Sequence, residues 1–341
     1  MNIVRRQPVP TGDILVVNGE YGLLECLGIG DYGKDHNIKA DFLGLDRPLS
    51  KVDHTELLPL TQKWVVTISS QYGCPVQCRF CDVPRKTYTT HLRGNINSQF
   101  KFPYVNATVA DLLSQISTCI SLHPEITHTD RLNIHFARMG EPTYNFNIIT
   151  AMQVLLNSDY IAQLAIDKSL IHPVISTMMP NDHRYIGAFL QMWCDMKNNL
   201  CEGNAGLQLS INSTDAEERW RMFNGQALGL QTISWLMAGN IPKGRKYTLN
   251  FAVADYQIDP YVLLPLFSPE HYIIKLTPMH KTRSATRNGI ATDGDYTTFY
   301  PYERHEEALR KAGYDVLVFL ASKEEDESRI TCGNAILTLS R

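Results

Sequence analysis

No run of about 18 apolar residues occurs in this 341-residue chain, so no membrane-spanning helix is expected. No long apolar stretch follows Arg5 and Arg6, so a secretory signal is not expected either, and the cytoplasm is the default compartment. Charge of neither sign dominates. The 32 Lys and Arg against 35 Asp and Glu leave a net −3, which by itself demands no nucleic-acid partner but permits a local basic patch. No internal repeat and no low-complexity segment interrupts the chain. Cysteine is scarce, with eight in all. In a reducing compartment disulfides are disfavoured, so these read as ligands, nucleophiles or core fillers.

What is present is the balance of a soluble globular protein, 44% hydrophobic and 20% charged, long enough for one large α/β domain with extensions or for two ordinary domains. Residues 1–63 are rich in Gly, Pro and Asp and contain short β-like pieces such as DILVV and YGLLECLGI; they read as a small β-rich N-terminal extension. From Trp64 onward strand and helix signals alternate. Strands are expected at 64–68, 132–137, 173–177, 207–212, 247–254 and 272–277. Helical spacing lies between them, as in ATVADLLSQISTCISL, where Thr108 is placed to cap and Val109, Leu112, Leu113 and Ile116 share a face. The alternation predicts parallel strands joined by crossovers. Six units suit a partial (β/α)6 barrel over residues 64–341, with a doubly wound open sheet as the competing α/β arrangement.

Each expected strand runs into polar residues, and in barrels the chemistry collects at that end. The first leads to Ser69 and Ser70, the second to RMGEP, the third to Ser176 and Thr177, the fourth to Ser210, Ile211 and Asn212, and the sixth to TPMH. Period-two alternation turns Gln208, Ser210 and Asn212 to one side of their strand.

The loop after the first strand, SSQYGCPVQCRFC, holds Cys74, Cys78 and Cys81 within eight residues. A structural zinc site takes four ligands, usually as two C-x-x-C pairs, and no second pair is present. Iron–sulfur cubanes take thiolates, and three of them leave one iron open to bind a reactant. Zinc remains the alternative on donor type alone.

The spacing C-x-x-x-C-x-x-C, with Phe80 before the last cysteine, resembles the signature of the radical SAM superfamily. SSQYGCPVQCRFC, MGEPTYN, VIST, LQLSINST and ITCGNAI, in this order, are similar to the RlmN and Cfr type of RNA adenine methyltransferase over roughly residues 64 to 341. The resemblance implies a [4Fe-4S] cluster on Cys74, Cys78 and Cys81, and S-adenosyl-L-methionine held by Gly140, Glu141, Ser176, Ser210, Ile211, Asn212 and His280, the last standing where the family usually has asparagine. It implies a catalytic Cys332 that carries a methyl group before a radical step joins that carbon to an adenine, and it makes Glu56 the nearest candidate for a general base. It further implies ribosomal or transfer RNA as substrate, a reducing partner such as flavodoxin or ferredoxin, and a monomer.

The chain departs from the family at two points. The second cysteine, seven residues before the first cluster cysteine, is replaced by Thr67, whose hydroxyl cannot form the disulfide that releases product; of the four remaining cysteines, Cys119, Cys194 and Cys201 read as core residues on or near helices, and Cys26, in the N-terminal extension, could approach the barrel mouth. The region before the first strand is also shorter than in the family. These departures favour an alternative, a radical SAM enzyme on the same scaffold that abstracts hydrogen from another substrate without a cysteine pair. A non-enzymatic protein with a structural metal is the third reading. The basic, aromatic stretch PRKTYTTHLRGNINSQFKFPYV, with IPKGRKY and HKTRSATRNG, would suit single-stranded nucleic acid or any phosphorylated substrate.

Overall fold

The structure is a computed structural model that describes residues 1–49, 51–88, 104–158, 160–161, 164, 166–290 and 296–340, with the side chains of 339–340 left aside. Most of the basic, aromatic stretch after the cysteine loop therefore lies outside the described residues.

Among the described residues, eleven strands form one mixed sheet. They are β1 (Asn2–Val9), β2 (Gly12–Asn18), β3 (Leu23–Ile29), β4 (Ile38–Lys39), β5 (Trp64–Ile68), β6 (Leu132–Phe136), β7 (Ile171–Thr177), β8 (Gly206–Ser210), β9 (Tyr247–Val253), β10 (Tyr272–Pro278) and β11 (Val316–Phe319). The order across the sheet is β1-β2-β3-β5-β6-β7-β8-β9-β10-β11-β4, so β1 and β4 are edges and the sheet is not closed. From β5 to β11 every neighbouring pair is parallel. Their order follows the chain without reversal, so the switch point that a doubly wound sheet requires is missing from this sheet.

The six expected strands are all present, and β11 is a seventh parallel strand that the sequence pattern did not yield, being only four residues long. Residues 1–63 do not form a sheet of their own. The meander β1-β2-β3 joins the parallel strands through antiparallel pairing of β3 with β5, Leu27 opposite Thr67.

Alternation sorts the strands into two faces. Trp64, Val66 and Ile68 on β5, Leu132, Ile134 and Phe136 on β6, and Leu207 and Leu209 on β8 are buried in the core shared with the helices. Opposite them, Thr67, His135, Ser176, Gln208, Ser210, Asn250 and Lys275 are only half-buried, and they form a polar inner face. The helix Val109–Ser121 packs on the apolar side through Leu112, Leu113 and Ile116. Its start is set by a capping box in which the Thr108 hydroxyl accepts from the Asp111 N–H and Asp111 accepts from the Thr108 N–H. On that helix Gln115 accepts from Ser69 N at 2.9 Å and donates to Ser69 O at 3.0 Å, which fixes the point where the chain leaves β5. Among the described residues no helix is long and apolar enough to cross a membrane.

Candidate metal centre

Because the strands are parallel, the loops after β5, β6, β7, β8 and β10 all emerge at one edge. The first is the cysteine loop. Gly73 sits at φ 95°, and a Cβ there would come within 2.6 Å of Arg85 O, so only glycine lets the chain fold back at this point. The return is closed by Cys74 N donating to Pro84 O at 3.0 Å and by the Gln77 amide donating to Cys74 O and Val83 O. Arg79 N donates to Met222 O, and the Gln226 amide donates to Val76 O. The loop is therefore held by the β8 crossover as well as by itself.

Cys74, Cys78 and Cys81 are each half-buried and unpaired by disulfide, and they are close enough that Cys78 feels the charges of Cys81 and Cys74, and Cys81 feels that of Cys74. Burial pushes all three thiols up, Cys74 to about 12, so without a bound cation they stay protonated. Val76, Met178, Met222, Phe223, Ala254 and Met279 make an apolar shell against which Cys74, Cys78 and Phe80 pack. Among the described residues no three His, Cys, Asp or Glu side chains converge tightly enough to hold a single metal ion. A cubane spreads its ligands over separate corners, and three soft donors in an apolar shell have the chemistry that suits one.

Beside this loop Gly140 lies at φ 105°, where a Cβ would meet Ser70 Oγ at 2.6 Å and Gln71 Cβ at 2.8 Å. Glu141 N donates to Gln71 Oε1. The buried Glu141 carboxylate accepts from Thr143 N and Oγ1 on one oxygen and from Met178 N on the other, tying the β6 exit to the β7 exit. Burial raises its pKa, and those bonds oppose the rise. Its charge reaches Cys74 and Cys78. Ser176 Oγ accepts from the Gln208 amide at 3.1 Å. Asn212, at φ 62°, is buried and accepts from Ala252 N.

Arg219 escaped the sequence reading because an arginine in AEERWRM looks like a solvated helical charge. It is buried, and it donates to Ser210 O at 2.6 Å, Ile211 O at 2.7 Å, Met178 O at 2.9 Å and Leu228 O at 3.2 Å. Burial lowers its pKa to about 9, with the Cys78 thiolate acting the other way. One guanidinium thus pins the ends of β7 and β8 and keeps positive charge near a cysteine.

The C-terminal loop closes over the same edge. Asp82 N, next to Cys81, donates to Gly333 O at 2.7 Å, and a Cβ on Gly333 would lie 3.8 Å from Cys81 Sγ. Cys332 Sγ lies 3.7 Å from Ala137 O, just beyond β6. Cys332 is exposed to solvent, and while the surrounding atoms push its thiol up, Arg138 and Lys275 pull it down. Two anchors hold the loop. The buried Glu25 accepts from Arg138 Nε at 2.7 Å and from Ile336 N and Leu337 N, while Arg138 also donates to Ile330 O. Asp326 accepts from Thr331 Oγ1 and Asn334 Nδ2, each at 2.8 Å, and from the Tyr296 hydroxyl. Burial opposes ionisation of Asp326, but His280, Tyr296 and Thr331 together hold its carboxyl well below the usual range. His280 Nδ1 is 3.2 Å from Asp326 Oδ1, which gives the histidine a structural contact with this loop.

Glu56 is exposed. It is two residues before Leu58, which lines a cavity beside Lys63 and Arg131 at the opposite end of the strands. Cys26 is fully buried on the helix side with its sulfur 3.7 Å from that of Cys119, and it does not reach the cysteine loop. Cys194 and Cys201 are likewise buried in the core. Thr67 is half-buried on the inner face, in register with His135.

The helix carrying Asp326 supplies a pH test. Glu325 caps that helix through Ser322 N, and burial raises its pKa to about 7. An acid whose folded pKa lies above its unfolded value contributes stability below the unfolded pKa and loses it as pH rises through the folded one. Glu325→Gln is therefore expected to stabilise the protein at pH 8 by about 1–3 kcal/mol and to change little below pH ~4.5, read as Tm against pH.

Comparison with known proteins gives a partial match. The dual-specificity RNA methyltransferase RlmN of Aliarcobacter butzleri is 30% identical over 129 residues, 38% of this chain and 31% of that protein. This chain is similar to RlmN RNA methyltransferases over about a third of its length. A probable dual-specificity RNA methyltransferase RlmN of Chlorobium phaeobacteroides is 30% identical over 107 residues, 31% of this chain and 26% of that protein. The RlmN of Buchnera aphidicola is 24% identical over 127 residues, 36% and 31% of the two chains. The matched stretch spans less than a third of the length of these relatives. No family model matches, and no solved structure does.

Proposed function

We propose that this chain is a radical SAM enzyme with an RlmN/Cfr-like relationship, acting on an RNA adenine. Its unit from residue 64 onward would be a partial β/α barrel, with residues 1–63 as an extension. The observation that carries the reading is the seating of the Cys332 loop on the cysteine loop, through Asp82 N to Gly333 O at 2.7 Å. Some 250 residues of chain separate these motifs, and the fold brings together the two that the family's chemistry needs side by side.

Cys74, Cys78 and Cys81 would hold a [4Fe-4S] cluster, and Gly140, Glu141, Ser176 and Ser210 to Asn212 would border S-adenosyl-L-methionine. When bound, the cluster would supply the electron that cleaves the sulfonium to a 5′-deoxyadenosyl radical. The chain's own residues would do the rest. The apolar shell of Met178, Met222, Phe223 and Met279 would limit water around the bound group. Arg219 adds positive charge beside Cys78, which favours its thiolate. Arg138 and Lys275 do the same for Cys332, the residue that would carry the one-carbon unit. A flavodoxin- or ferredoxin-type donor and a cytoplasmic, monomeric state belong to the same proposal.

Thr67 supports a second reading. With Cys26 and Cys119 facing each other in the core, no second cysteine outside the cluster trio is placed to resolve an adduct on Cys332. A different substrate, modified by hydrogen abstraction alone, would not need one. Mass spectrometry of ribosomal and transfer RNA from cells with and without the gene separates the two. Loss of a methyladenosine on deletion is expected from the first reading, and identical RNA would end it.

A further inference from the structure

The parallel strands also gather charge at the end away from the cysteines. Lys63 immediately precedes β5, Arg131 immediately precedes β6 and Arg245 lies two residues before β9. Lys34, from the segment after β3, joins them, and Lys275 projects from the inner face of β10 in register with Asn250. Lys34 feels the charges of Arg131, Lys63 and Arg245, Arg245 feels Arg131, and Lys275 feels Arg245 and Lys63. Two histidines in the same field, His135 and His172, are pushed down to about 3 and about 4, by burial first and then by these cations.

Asp31 offsets part of this charge: it is ion-paired with Lys63 and its field reaches Arg131 and Lys275. Asp130 is 2.9 Å from His128 Nε2. Arg131 Nε donates to the neutral amide oxygen of Asn133 at 3.0 Å, and Lys275 Nζ sits 4.8 Å above the Phe319 ring. Among the described residues no carboxylate lies within ion-pair distance of Lys34, Arg131, Arg245 or Lys275. A cavity of about 300 Å³ opens here, lined by Lys34, Leu58, Gln62, Lys63, Asp130 and Arg131.

Like charges held together in partly desolvated surroundings repel one another, and an anion between them converts that cost into binding energy. We propose that this cavity at the amino-terminal end of the parallel strands binds a phosphate or diphosphate group, held by Lys34 and Arg131 with Arg245 adding charge from behind. Arginine offers a two-pronged donor matched to phosphate oxygens, and lysine offers a mobile point charge. The lining has one apolar side chain, Leu58, and no aromatic, so it suits a phosphoryl group rather than a nucleobase. Its volume is at the small end of ligand pockets. The site is independent of the reading given for the cysteine end.

The test uses the full-length protein in calorimetric and thermal-shift titrations with inorganic phosphate, pyrophosphate and adenosine monophosphate, at ionic strength held constant with potassium chloride. Pyrophosphate is expected to raise Tm by about 3 °C or more. Arg131→Gln and, separately, Lys34→Gln are expected to weaken binding about tenfold or more while iron content after reconstitution stays at the wild-type level. Tighter binding of adenosine monophosphate than of phosphate would support a phosphorylated small molecule as the source; equal binding would support free phosphate. Shifts that potassium chloride reproduces, or that persist undiminished in both variants, would overturn the proposal. Because none of these readouts depends on cofactor cleavage, failure here leaves the cysteine-end reading standing, and failure there leaves this one.

Discussion

Replacing Cys74, Cys78 or Cys81 singly with alanine is expected to abolish reductive cleavage of S-adenosyl-L-methionine. Anaerobic reconstitution of the wild type should give about four irons per chain and a brown chromophore. Each variant should retain little iron and lose cleavage by at least about 10³-fold. Cys78 and Cys81 feel neighbouring thiolates and all three thiols are pushed up by burial, so their thiolates are stabilised as ligands or not at all. Removing one leaves a cluster with two protein ligands in an apolar shell that offers no substitute. The fold should survive, because the loop is held by backbone bonds such as Cys74 N to Pro84 O and Arg79 N to Met222 O, which alanine preserves. Circular dichroism is the control. A colourless wild type that takes up one zinc would refute the whole scheme.

The second large effect concerns Cys332. Cys332→Ala is expected to keep its iron and its cofactor cleavage while methyl transfer to RNA falls by about 10³-fold or more. The substitution removes a sulfur that lies against Ala137 O and the Gly333 backbone and carries none of the loop's anchors, so it leaves Glu25, Arg138 and Asp326 in place. Uncoupled 5′-deoxyadenosine formation without methylated RNA is the signature of a parked one-carbon unit. Undiminished turnover in this variant would instead establish hydrogen abstraction on another substrate, the outcome that Thr67 favours. Arg138→Gln is a useless proxy for Cys332, because it also breaks a buried pair with Glu25 and frees Ile330 O.

The legible parts of the molecule were those with short sequence range. The six helix-facing residues of β5 and β6 and the six strand positions follow from alternation, because an apolar face must meet the helices that cover it. The Thr108 cap followed from its hydroxyl preceding an apolar run. Arg219, Arg138 and Glu25 were illegible. A charged residue on an amphipathic segment is ordinarily solvated, and what buries these three is carbonyls and amides contributed by other parts of the chain. Glu56 shows the converse: proximity in sequence to β5 places it ahead of that strand's start, whereas the cysteines lie past its end.

By itself the sequence determined the donor set, because three thiols within eight residues stay neighbours in any fold of that loop, and it determined the alternation that makes parallel strands. The tertiary structure alone decided that Cys332 borders the cysteine loop, that Cys26 turns into the core, and that Lys34, Lys63, Arg131 and Arg245 share one field at the far end. The reason is that periodicity assigns a side chain to a face, while pairing between distant segments assigns what that face meets, and only burial of the whole core chooses among those pairings.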